Sequence, residues 1–150
     1  MHIEQIKPRG EVTLELRAAD GTLKVLETHN LVVDLGLAFI ASRMKDATAT
    51  AMTHMGVGTS STAAADAQTA LITQLVRVAL TSTTLVTTTV ANDSIQYLAT
   101  FPAGTATGAI TEAGLFNAAS AGTMLARTVF GVITKGADDT LTVTWKIIIA

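Results

Sequence analysis

The 150-residue chain has no cysteine, only two prolines, and few aromatics: one Trp, one Tyr and four Phe. Without cysteine there is no disulfide staple, no thiol nucleophile and no thiolate zinc site. The aromatics are too sparse, and too scattered over expected core faces, to form a base-stacking platform. Charge is scarce too, at 15 % of residues, with a net charge of −2. No basic field exists to attract nucleic acid or an anionic membrane. The longest apolar tail, KIIIA at Lys146–Ala150, is far short of the ~20 residues of a membrane helix. The opening MHIEQIKPRGE carries charge where a secretion signal needs an apolar run, so a soluble, non-secreted protein is expected.

What is present points to β structure. Hydrophobic residues make up 49 %, much of this alanine, and threonine is abundant. At this length the chain is expected to be one domain, residues 1–150, burying about 70 % of its unfolded surface. A chain poor in charge yet unlike a membrane protein is expected to cover part of its surface with neighbours.

Val12, Leu14 and Leu16 alternate with polar residues, Asp20-Gly21 marks a turn, and Leu23–Thr28 returns, which predicts an N-terminal hairpin over 11–28. From Asn30 to Lys45 the period changes to that of a helix, so one packed helix is expected at 31–45, capped by Asn30 or Asp34. Gly36 inside it is read as a close approach to the sheet. Further strands are expected at 51–57, 75–89, 94–101, 110–116, 123–130 and 140–149, with a short helical turn at 66–73. Leu141, Val143, Trp145 and Ile147 show the cleanest alternation. The whole reads as an antiparallel β-sandwich of about eight strands with one helix.

A search for chemistry finds little. His2, His29 and His54 lack metal-ligand spacing, and His54 between methionines reads as packing. GVGTSST at Gly56–Thr62 lacks the Gly-Lys-Ser/Thr ending of a phosphate loop and reads as a turn. No GxSxG elbow occurs. Asp138-Asp139 reads as a solvent-facing turn, with calcium the weaker alternative. No catalytic residue, metal site or cofactor is expected, and the chain is not read as an enzyme.

Two charges are out of place. Glu112 lies in GAITEAGLF and Arg77 in QLVRVAL, each among apolar neighbours. An unpaired buried carboxylate costs several kcal/mol. Either both point to water or to separate backbone groups, or they satisfy one another bidentately and fix the register of two strands. Pairing of Arg77 with Glu112 is the expectation carried forward.

The order of these segments resembles the N-terminal, baseplate-attachment domain of phage tail fibre or tail-collar proteins. The resemblance spans about residues 31–149. It rests on the helix LVVDLGLAFIASRM, on MTHMGVGT ending in Gly56 and Gly58, and on QTALITQLVRVAL with Ala70, Leu71 and Arg77. The last segment is EAGLF, with Glu112, Gly114, Leu115 and Phe116. Gln74 stands where an acidic residue would be expected. The resemblance implies a non-enzymatic virion structural protein, a symmetric homo-oligomer with a trimer favoured, contacting other tail, baseplate or capsid proteins. With an added hairpin at 11–28 and no shaft after Ala150, an adaptor, collar or baseplate component is expected. Capsid decoration is the alternative. A glycan- or receptor-binding module, for which Tyr97 is the only aromatic candidate outside the core, is another, and a hydrolase ranks last.

Overall fold

Val12, Leu14 and Leu16 form the inward row of β1 (Arg9–Arg17) in the computed structural model, which describes residues 5–150. The Asp20-Gly21 turn returns the chain into β2 (Leu23–Val32), so the N-terminal hairpin forms as read. After α1 (Asp34–Lys45) come β3 (His54–Gly58), β4 (Gln74–Ala79), β5 (Ser82–Val86), β6 (Ser94–Phe101), β7 (Gly108–Phe116), β8 (Met124–Lys135) and β9 (Thr140–Ile148). All pairings are antiparallel, in one sheet of order β4-β3-β7-β8-β2-β1-β9-β6-β5. The protein is therefore mainly β with a single helix among the described residues, and its nine strands curl as a half-barrel.

The expected count was about eight, and the extra strand has a physical origin. The run 75–89 breaks at Leu80-Thr81, where Leu80 N–H donates to Thr53 and Thr81 N–H to Leu98. This short link joins β4 and β5, the two ends of the sheet order, which curling brings together. The residues on both sides of the break are rich in Val, Leu and Thr and suit a strand throughout, so composition did not mark it.

The core lies inside the curl. Trp145, Phe101, Leu14, Leu141, Val143 and Tyr97 are buried there. The indole N–H of Trp145 donates to Asn30 Oδ1 at 3.0 Å, so Asn30 is a core partner and not a helix cap. Leu31 and Val32 pair with Arg127 and Ala126. The helix therefore starts three residues later than expected, after Val33, with no side-chain cap. Gly36 does mark a close approach: a Cβ there would run into the backbone carbonyl of Leu125 on β8. No helical turn forms at 66–73; the chain turns at Asp66-Ala67 and is otherwise irregular. No helix among the described residues is long and apolar enough to cross a membrane.

One irregularity positions everything that follows. In the β7–β8 hairpin the register shifts between Ile110 and Glu112, so that Thr111 on β7 and Phe130, Gly131 and Val132 on β8 have no register partner. Bulges of this kind re-aim side chains. Ile110, Ala113 and Leu115 thus join the main core, whereas Phe116 belongs to a second cluster with Leu71, Val33 and Met124. A strict period of two would have kept Ile110 on the same side as Glu112.

Candidate functional site

The second cluster sits on the outer face of β3, β4, β7 and β8, beneath the irregular segment 59–73. Cross-strand register aligns Arg77, Gly56, Gly114 and Arg127 in one row, with Gln74, Gly58, Glu112 and Val129 in the next. Glu112 and Arg127 are diagonal neighbours in adjacent rows, within reach of long side chains.

Glu112 and Arg127 are both fully buried and form an ion pair, with Arg127 Nη2 and Nε 2.8 and 3.0 Å from Glu112 Oε2. Both donors converge on one carboxylate oxygen, which also accepts the Ile72 N–H at 3.1 Å. The other oxygen accepts Thr73 N–H at 2.7 Å and Ser60 N–H at 3.4 Å. Arg127 Nη1 donates to Gln68 Oε1 at 3.0 Å. Gln68 in turn accepts from Ala65 N–H and donates to the Ala63 carbonyl. One carboxylate and one guanidinium thus fasten both ends and the middle of segment 59–73. Backbone donors in such a segment must find partners once buried, and Glu112 supplies three of them with an acceptor.

Arg77 does not pair with Glu112. Its guanidinium lies 3.5 Å from the centre of the Phe116 ring, and it donates to Gln74 Oε1 and to the carbonyls of Ala118 and Ala121. The expected pair fails because the Gly56 rung lies between: Arg77 pairs across it at one side of the face and Arg127 at the other. Arg77 instead anchors the β7–β8 turn. Gln74, standing where the resemblance expects an acid, serves as its acceptor.

The motif glycines are needed by close approach. A Cβ on Gly58 would collide with the Thr73 carbonyl. Cβ atoms on Gly56 and Gly114 would meet Leu71 and Phe116 at 3.0–3.3 Å, so the two glycines make a slot that Leu71 plugs. Gly56, Gly58, Leu71, Arg77, Glu112, Gly114 and Phe116, far apart in sequence, therefore meet in one clamp. Sequence reasoning missed Arg127 and Gln68. The signal for Arg127 was its place opposite Gly114 on the return strand of the hairpin, legible only once the register is known.

The remaining candidates have local roles. His54 is half-buried with Nδ1 2.8 Å from the Thr53 hydroxyl. Asp139 accepts the Gly136 N–H at 2.7 Å, closing its turn. Tyr97 is not outside the core: it is 4 % exposed, and burial pushes its phenol up to about 12, with the positive Arg43 pulling the other way. Among the described residues no group of three His, Cys, Asp or Glu is placed to hold a metal ion. What the clamp can do chemically is hold backbone in place, since its charges are paired and sealed from water.

No protein-family model, curated protein or solved structure matches the chain.

Proposed function

We propose that this protein is a non-enzymatic structural component of a phage particle, at the tail, baseplate or collar, and that it assembles as a symmetric oligomer with a trimer favoured. The observation carrying this reading is the convergence of the motif residues on one clamp. Segments resembling the tail-collar pattern in order alone have no reason to meet in space, yet here Gly56, Gly58, Leu71, Arg77, Glu112, Gly114 and Phe116 pack together. The reading also draws support from the chain's low charge and from β4 and β5, edge strands paired on one side only. Such edges invite pairing with another chain unless covered. The two halves of the curled sheet, facing one another across the core, are read as the layers of a sandwich. The glycan-binding alternative loses its one aromatic candidate with the burial of Tyr97.

The test is the protein content of purified particles from a host carrying this gene. The chain should be present at a fixed stoichiometry, and labelling should place it on the tail. Label over the capsid surface would favour decoration. Absence from particles overturns the reading.

A further inference from the structure

We propose that the opening between β2 and β8 is an insertion site for an extended peptide strand that carries a carboxylate. Pairing between these strands is confined to Leu31–Arg127 and Val32–Ala126. The last tie is the Thr128 hydroxyl, which donates to the His29 carbonyl at 2.9 Å. Beyond it, β2 is paired only to β1 from Leu23 to Asn30, and β8 only to β7, at Val129 and again from Ile133 to Lys135. Among the described residues no segment occupies the second edge of either strand. The two edges border one cavity of 430 Å³ lined by Leu16, Lys24, Val25, Leu26, Val132 and Ile133.

Three features specify the occupant. Each edge carries backbone N–H and C=O groups that no ladder of this sheet uses, regular along β2 and interrupted on β8 by the bulge at 130–132. An extended segment pairs with such an edge where a helix does not. A strand entering here makes a ladder on both sides, whereas the outer edges of β4 and β5 offer one each. The side chains complete the description. Val25 and Val132, 54 % and 61 % exposed, offer apolar contact at the mouth, and Lys24 is the single charge in the lining. The partner strand therefore alternates apolar side chains and sets a carboxylate against Lys24. This inference goes beyond the particle reading and does not depend on it, since any extended partner segment serves.

The probe is an acetylated, amidated nonapeptide of alternating valine and threonine with a central glutamate. Its control is the same peptide methylated on every second backbone nitrogen, which blocks one ladder. Binding is followed by amide hydrogen exchange on the whole protein. The plain peptide is expected to slow exchange on both β2 (residues 24–29) and β8 (residues 129–134). The methylated peptide is expected to bind at least about tenfold more weakly, and Lys24→Glu to weaken the plain peptide by about the same factor. Lys24 is exposed, so that variant folds, which circular dichroism checks. Equal binding of both peptides, protection confined to β4 or β5, or no protection at about 1 mM peptide overturns the proposal.

Discussion

Glu112 announces itself in the sequence as a carboxylate among apolar residues, and the structure resolves it as the centre of a five-donor site. Its partner was not legible, because Arg127 lies within an ordinary-looking strand and its position opposite Gly114 depends on a register shift between Leu115 and Phe116 that alternation does not mark. Arg77, which looked equally misplaced, is only half-buried and stacks on Phe116. The two arginines therefore predict different outcomes. Glu112→Ala and Arg127→Ala should each cost about 3–5 kcal/mol, because each leaves a buried charge unpaired. Arg77→Ala should cost about 1 kcal/mol, from the lost cation–π contact and turn bonds. The double variant Glu112→Ala/Arg127→Ala should lose less than the sum of the single losses. Urea denaturation measures all four; a loss for Arg77→Ala equal to that for Glu112→Ala would reinstate the rejected pairing. Tyr97 gives a second residue-scale test, since it is the only tyrosine. Its folded value is raised to about 12, so the stability it contributes is complete below the ordinary tyrosine value near 10 and is lost as pH rises through about 12. Ultraviolet titration of the folded protein should show phenolate appearing well above pH 10. Titration at the unfolded value while the fold persists would place the ring in water.

At the scale of elements, the sequence was most legible where alternation ran uninterrupted. The hairpin of β1 and β2, the strand β6 and the Trp145 strand fall within a few residues of where polarity patterning puts them. It was least legible where one strand changes partners without changing pattern, as at Leu80-Thr81, and where β2 extends into residues that read equally well as helix. Leu31 and Val32 are apolar at helical spacing, but backbone pairing with β8 outweighs that preference. Gly36 was legible, being a poor helix former inside a helix. Its substitution has a sign that decides the reason for it. Alanine improves helix propensity by about 1 kcal/mol, yet its methyl would run into the Leu125 carbonyl. Gly36→Ala is expected to destabilise by about 1–3 kcal/mol, as overpacking does. A gain in thermal midpoint would mean that α1 does not press on β8 as described.

For the whole molecule, the sheet's curl and its ends explain both the core and the surface. The curl of the sheet buries Trp145 and its neighbours inside, while β2 and β8 pair only at Leu31–Arg127 and Val32–Ala126. The mainly β content and the single helix near 31–45 could be read from the sequence; the continuity of one sheet of nine strands could not, because residue patterning reports which face of a strand is buried and not which strand lies beside it. A molecule with so little charge and several unpaired edges is read here as one that completes itself by association. Multi-angle light scattering on the purified chain tests that claim most directly. Given a subunit of 15.5 kDa, the account predicts one species at an integral multiple of that mass, three being favoured, that persists on dilution. A single species at 15.5 kDa at every concentration, up to the most concentrated sample obtainable, would contradict it.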